Sequence, residues 1–287
     1  MLPNVKYEGT KELNKALFFL TSNPECKVIA GGTDIIVEMR KSDKPHTLID
    51  ITPIRELDYI EEAKDKISIG AITTHAKISS DPIIRKFAKP LSMACSTVGA
   101  PGIRNLATIG GNICNASPAA DSLAPLTLLD ATLTLTSIDR ERRIPLTEFI
   151  KGAYKTDIHP GELLTQIEFN PLPENSFSYF IKLGRRNALA ISRLSVATSI
   201  TITGESITEA RISPGAVFRS PQRVKVAEDF LIGKKSSYEL FEEAGKLVSK
   251  EMIAQTGVRW STPYKQPVLA SLVKRCLVQS LGWKVER

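Results

Sequence analysis

Two glycine-bearing segments hold the residue types that can grip a charged ligand. The first is Ala30-Gly31-Gly32-Thr33-Asp34. A short apolar strand, Lys27 to Ala30, ends there, and a helix is expected from Ile35 to Arg40 with Thr33 or Asp34 as its cap. A helix start exposes unpaired N–H donors and a partial positive charge, which suit a phosphate without any lysine. The second is the glycine-rich turn Thr108-Ile109-Gly110-Gly111-Asn112, continuing to Asn115 and Asp121. Its glycines permit close backbone approach, and its hydroxyl, amide and carboxylate groups suit a sugar edge or a phosphate. Either segment alone also reads as a tight turn that binds nothing. Together they can hold one long ligand from two sides, and their residue types suit a nucleotide with a pyrophosphate.

Other sites are harder to build. Neither segment is G-x-G-x-x-G, and Gly233-Lys234-Lys235-Ser236 lacks the upstream glycine of a phosphate loop, so both standard nucleotide motifs are excluded. Cys26, Cys95, Cys114 and Cys276 form no C-x-x-C pair, and His46, His75 and His159 are isolated, so no metal or iron–sulfur ligand set is expected. Four scattered cysteines in a chain of this length imply reduced thiols, and no signal-peptide pattern opens the chain; a cytoplasmic protein is expected. The net charge of +7 is spread along the chain, without a nucleic-acid motif, so it points to a mixed surface, an acidic partner or an acidic cofactor rather than to a polynucleotide. No apolar run approaches the roughly 20 residues of a membrane span.

The elements that must position the two segments follow from periodicity. Residues 11–20 read as an amphipathic helix, 47–51 as a strand, and 66–70 as a half-buried strand. Residues 83–96 read as a helix interrupted by Pro90, and 98–102 as a loop. Strands are expected at 132–136, 143–146 and 165–169. Asn170 to Ser176, with two prolines, reads as a linker. Beyond it, 195–203 and 207–213 form a hairpin about Gly204-Glu205, followed by helices at 221–231, 236–254 and 263–281. The last carries Val268, Leu269, Leu272, Val273, Cys276, Leu277 and Leu281 on one face.

Three ordered segments make the sequence familiar: "VIAGGTDIIVEMR" (28–40), "VGAPGIRNLATIGGNICNASPAADSLAPLTLLDATLTL" (98–135) and "YFIKLGRRNALAISRLSVA" (179–197). They resemble the FAD-binding medium subunits of molybdenum hydroxylases, a family that includes xanthine, nicotinate, aldehyde and carbon monoxide dehydrogenases. The resemblance runs through "ISPGAVFRSPQRVKVAEDFLIG" (212–233) to the last helix. It implies an α+β chain: a two-part FAD-binding domain of the vanillyl-alcohol-oxidase type over 1–174, with subdomains of about 1–55 and 56–174, and a smaller α+β domain over 175–287.

By the same resemblance, Val28, Ile29, Ala30, Gly31, Gly32, Thr33, Asp34 and Ile35 hold the FAD pyrophosphate by backbone N–H groups. Thr108, Gly110, Gly111 and Asn112 hold it from the opposite side. Asn115 and Asp121 match FAD-contacting positions, and Val98, Gly99, Ile103 and Ala107 line the cleft. Leu164 packs by the isoalloxazine, and Lys182 reaches the flavin ring, where an ammonium would stabilise reduced flavin. His75 and Cys114 read as structural.

The implied role is electron transfer, with no catalytic acid–base pair in this chain. A [2Fe-2S] small subunit delivers electrons to FAD, which passes them to NAD+ or another acceptor, while a molybdopterin large subunit oxidises the substrate; a dimer of heterotrimers is implied. "GNICNASPAADSLAPL" points first to a xanthine or purine dehydrogenase, with nicotinate, aldehyde and carbon monoxide dehydrogenases as alternatives. The cysteine-bearing insert of benzoyl-CoA-type reductases is missing, which argues against that branch. Different readings are a stand-alone FAD oxidoreductase, an assembly module that has lost FAD, and a nucleic-acid binder.

Overall fold

The computed structural model describes residues 5–41, 46–186 and 189–284. The chain opens on a three-stranded parallel sheet in which β1 (Val5–Gly9) and β2 (Lys27–Ile29) flank β3 (His46–Asp50). Parallel neighbours need crossover connections. α1 (Leu13–Ser22) and α2 (Ile35–Met39) lie on those connections. α1 buries Ala16, Leu17 and Leu20 against Ile49, Ile51 and Ile54. β1 escapes periodicity because it is a largely exposed edge strand. Neither expected cap operates on α2: Asp34 occupies the cap position, but its side chain accepts no capping bond.

β4 (Ile60–Ala63) and β5 (Lys66–Gly70) lead into a run of short helices: α3 (His75–Ser80), α4 (Pro82–Phe87), α5 (Lys89–Ser96), α6 (Pro101–Leu106), α7 (Ile109–Asn115) and α8 (Leu123–Leu128). Then follow β6 (Thr132–Thr136), β7 (Glu141–Pro145), α9 (Leu146–Phe149), the small hairpin β8 (Ile150–Gly152) and β9 (Lys155–Thr156), and β10 (Leu163–Phe169). The sheet order is β4-β5-β10-β6-β7, antiparallel throughout. Its inner face, including Ile67, Ile69, Leu133, Leu135 and Ile167, packs on the helices in one large core.

Two expectations shift here for local reasons. Pro90 does not interrupt a helix but stands in the first turn of α5, where a missing N–H is harmless. The break falls at Ala88, and α4 starts where Asp81 accepts from the N–H groups of Ile83 (2.9 Å) and Ile84 (3.1 Å). The second glycine segment is not a turn. Thr108 caps α7, accepting from Gly111 N at 3.1 Å, so Gly110 and Gly111 lie in its first turn.

The rest of the chain is an antiparallel meander, β11 (Ser176–Gly184), β12 (Ser192–Thr203) and β13 (Ser206–Gly215), covered by α10 (Lys225–Leu231), α11 (Tyr238–Thr256) and α12 (Thr262–Ser280). The hairpin turns at Gly204 with φ +62°, as expected. On α12, Leu269, Leu272, Val273, Cys276 and Leu277 are buried and pack in one cluster with Phe241 and Val248 of α11.

Candidate functional site

The two glycine segments meet. β2 ends at Ile29, and Gly32 turns the chain with a left-handed φ of +69° that favours glycine. Gly31 presses against the backbone just before α7: a Cβ on it would overlap the Leu106 carbonyl. That second segment is pinned from below. His75 N donates to Ala107 O (3.0 Å), Ile109 N to Thr73 O (3.0 Å) and Gly110 N to Ala71 O (2.8 Å). A Cβ on Gly110 would stand 2.6 Å from the Ala71 carbonyl oxygen, whereas one on Gly111 would meet only the capping Thr108 Oγ1, at 2.9 Å. Gly31 and Gly110 therefore serve chain-on-chain contact, and Gly111 keeps an open face.

Between the segments lies a cleft of about 570 Å³, within the usual range of roughly 300–1,000 Å³ for small-molecule sites. It is lined by Val28, Ala30, Gly31, Gly32, Thr33, Asp34 and Ile35 on one side, and by Ala107, Thr108, Gly110, Gly111, Asn112 and Asn115 on the other. Leu164 joins them from β10. Ile29 does not line the cleft.

The donors differ between the two sides. In α7 the first N–H groups are used: Ile109, Gly110 and Gly111 as above, and Asn112 N on Thr108 O at 3.0 Å. The N–H groups of Gly31, Gly32, Thr33 and Asp34 donate to no group among the described residues. A row of free N–H donors on a glycine turn fits a pyrophosphate, so the donor chemistry sits on the first segment. The second contributes shape and side chains, with Asn112 Oδ1 held by Ser122 Oγ at 2.6 Å.

A third wall went unread in the sequence: Ile158 to Leu163. Its anchor is Arg142 on β7, whose Nε and Nη2 grip the two Glu162 carboxylate oxygens at 2.7 and 2.8 Å. Arg142 also bonds the Asp157 carbonyl and, at 3.1 Å, the Asp157 carboxylate. His159 N donates to Glu162 Oε2 at 2.9 Å. Burial pushes the Glu162 carboxyl up, but Arg142 and the His159 N–H outweigh it and hold it below its ordinary range. Elsewhere in the cleft, burial raises Asp34 and Cys26 and pushes the Cys114 thiol up to about 12. Both thiols are thus neutral at physiological pH. Lys27 and Glu38, also on the lining, pair at 3.0 Å.

Val98, Gly99, Ile103, Asp121 and Lys182 stand outside this cleft. Lys182 reaches from β11 to Asp121 Oδ2 (2.5 Å) and Thr97 O (3.0 Å), and Ser192 Oγ donates to Asp121 Oδ1 (2.7 Å). Asp121 is buried and Lys182 largely covered. Arg104 Nη1 donates to the carbonyls of Val98 (3.1 Å) and Gly99 (2.9 Å), fixing the adjoining loop, where Gly99 takes a φ of +44°. The ammonium expected at a flavin ring is thus already neutralised by a carboxylate. No group of three or more potential metal ligands occurs among the described residues, and none of their helices is long and apolar enough to cross a membrane.

Comparison with known proteins gives two family matches: the FAD binding domain in molybdopterin dehydrogenase over residues 3–172, and the CO dehydrogenase flavoprotein C-terminal domain over residues 179–280. The nicotinate dehydrogenase FAD-subunit of Eubacterium barkeri is 32% identical, covering 95% of this chain and 94% of the relative. The glyceraldehyde dehydrogenase medium chain of Sulfolobus acidocaldarius is also 32% identical, over 95% and 97% of the two chains. The putative xanthine dehydrogenase FAD-binding subunit of Escherichia coli is 28% identical, with 98% of each chain covered. Among solved structures, quinoline 2-oxidoreductase from Pseudomonas putida 86 superposes with a TM-score of 0.90 at 25% identity, covering 98% of both chains.

Proposed function

Since the chain belongs to the family of FAD-binding subunits of molybdopterin dehydrogenases, we propose that its cleft holds FAD with the pyrophosphate on the N–H groups of Gly31 to Asp34. The observation that carries this reading is the run of donors without a partner among the described residues, opposite a helix start whose own donors are used. Gly111 leaves room for the ligand, Asn112 and Asn115 offer polar contacts, and Leu164 supplies an apolar surface. Residues 1–174 serve as the FAD domain and 175–287 as the C-terminal domain.

When bound, FAD would supply the redox chemistry, between a [2Fe-2S] subunit as electron donor and NAD+ or another acceptor. This chain binds and orients the flavin. Arg142 and Glu162 hold the third wall, and neutral Cys26 and Cys114 keep thiolates out of the cleft. A molybdopterin subunit oxidises the substrate, and the subunits assemble as a dimer of heterotrimers. "GNICNASPAADSLAPL" favours a purine substrate for the complex. The relatives' names span nicotinate, glyceraldehyde, xanthine and carbon monoxide, so they support the alternatives equally.

The test is native purification of the tagged chain with flavin, iron and molybdenum analysis. One flavin per chain, with iron and molybdenum in accompanying subunits, is expected; a colourless chain that takes up no added FAD refutes the reading. Hydroxylation assays on purines, nicotinate and aldehydes then decide the substrate.

A further inference from the structure

A second, smaller recess lies where the two domains meet. It measures about 30 Å³, room for roughly two or three water-sized groups. The FAD domain lines it with Ser117, Ala124 and Gly152, and the C-terminal domain with Ala216, Arg219 and Ser220, among others. It shares no lining residue with the flavin cleft. None of its lining residues is Asp or Glu.

The chain on the C-terminal side is rich in donors. β13 ends at Gly215, and residues 216–220 run on without a regular element. The N–H groups of Ala216, Val217, Phe218, Arg219 and Ser220 donate to no group among the described residues. Ala216 holds a left-handed φ of +60°, which a residue with a side chain adopts only where its surroundings impose it. Lys265 anchors this bend, its ammonium holding the Ala216 carbonyl at 3.1 Å. Successive N–H groups about a left-handed residue make a concavity that suits an anion.

Side chains add to the same chemistry. Arg211 and Arg223 are paired with Asp130, Glu209 and Glu228, whereas Arg219 has no such partner among the described residues. Arg219 Nε lies 3.8 Å from where a Cβ on Gly152 would stand, so this side chain crosses from one domain to the other. Ser117 Oγ accepts from the Ala119 N–H at 3.4 Å and keeps its own hydroxyl hydrogen to donate. These donors exceed the roughly four lone-pair sites of a carboxylate and suit the larger oxygen set of a tetrahedral ion.

We propose that the recess binds a small tetrahedral oxyanion of the phosphate or sulfate class, on the N–H groups of Ala216 to Ser220 and the Arg219 guanidinium, with the Ser117 hydroxyl facing them from the other domain. This goes beyond the flavin reading and does not depend on it. Ser117 opens the connection from α7 to α8, which also carries Asp121, bonded to Ser192, and Ser122, bonded to Asn112 of the flavin cleft. The ion ties the C-terminal domain to that connection.

The experiment is equilibrium dialysis of labelled inorganic phosphate against the purified full chain, with and without saturating FAD, at an ionic strength held constant with chloride. One phosphate per chain is expected with FAD present. Arg219→Gln should bind it at least about tenfold more weakly, as for loss of a charge-assisted hydrogen bond. Arg219 is exposed, so flavin content and melting temperature in phosphate-free buffer should stay at wild-type values. Phosphate should raise the melting temperature of wild type and leave that of Arg219→Gln unchanged. Ser117→Ala should lose a smaller part of the affinity. No saturable binding overturns the proposal, as does equal binding by Arg219→Gln. Phosphate displaced by FAD belongs to the flavin cleft and overturns it too, and acetate binding as tightly overturns the tetrahedral assignment. A chain that takes up no FAD refutes the flavin reading alone, since phosphate still distinguishes wild type from Arg219→Gln.

Discussion

Replacing Arg142 by alanine should loosen a wall of the cleft without touching the glycine segments. The guanidinium makes a two-point bond to Glu162, at 2.7 and 2.8 Å, and holds Asp157 on the same loop. The Glu162 side chain is only 3% exposed, so the substitution leaves a buried carboxylate facing the cleft without its main partner. Stranding one member of a fully buried pair costs about 3–5 kcal/mol. Arg142 is partly in water and Glu162 keeps the His159 N–H, so the loss expected here is about 2 kcal/mol. For a chain of this size that is a melting-point drop of roughly 4–8 °C. If the freed loop is in place a tenth of the time, FAD affinity falls about tenfold. Thermal unfolding by circular dichroism and FAD titration by fluorescence read both effects. Glu162→Gln in the Arg142→Ala background removes the stranded charge and should recover part of the stability, a non-additivity that marks direct coupling. The pH dependence has a fixed sign. A carboxyl held below its ordinary value of 4.5 stabilises the fold above that pH and loses the contribution as pH falls through its folded pKa. The gap between wild type and Arg142→Ala should therefore close on acidification below about 4.5. A variant that melts within a degree or so of wild type and binds FAD as tightly refutes the anchoring role.

Three further outcomes follow from the site. Gly111→Val places a branched side chain where even a Cβ comes within 2.9 Å of Thr108 Oγ1, spoiling the α7 cap and filling the open face; the purified protein should lack flavin, and full flavin absorbance would remove α7 from the site. Lys182→Met should keep FAD but strand the buried Asp121, with a loss of about 3 kcal/mol that Asp121→Asn partly restores; because Lys182 stands outside the cleft and is paired with Asp121, the flavin reduction potential should stay at its wild-type value, and a shifted potential would return Lys182 to the flavin's surroundings. His75, fully buried, is pushed down to about 4, chiefly by burial. It stays neutral when folded while the unfolded chain takes a proton near 6.5, so stability should fall by up to about 3 kcal/mol as pH drops from 6.5 to 4. Urea midpoints measured across that window should lose most of this slope in His75→Phe; the same slope in the variant excludes His75 as its source.

What the sequence revealed and what it hid divides along the range of the interactions. α1 and α12 repeat apolar residues at helical spacing, and the β12–β13 hairpin turns on its own glycine, so each announces itself locally. β1 has too little apolar character to show a period, since it pairs on one side only. α7 was hidden by its two glycines, which read as a turn until the Thr108 cap and the Ala71 carbonyl are seen to hold them helical. The third wall had no signature at all, because Glu162, in the loop before β10, owes its position to an arginine twenty residues earlier on β7.

The glycines carry the sharper lesson. Four of them suggested one shared task, approach of the backbone to a ligand. The structure divides the work. Gly31 and Gly110 are excluded from bearing a side chain by protein carbonyls, those of Leu106 and Ala71. Gly32 is required by its positive φ, and at Gly111 a Cβ would meet only a side chain, Thr108 Oγ1 at 2.9 Å, and no backbone. Gly31 lets the first segment press on the backbone ahead of α7, Gly110 seats α7 on Ala71, and Gly32 turns the chain after β2. Alanine at Gly31 or Gly110 must therefore damage folding along with flavin uptake, whereas alanine at Gly111 should weaken flavin uptake in a protein that still folds. A Gly111 variant that fails to fold, or a Gly31 variant that folds and binds normally, would break this division.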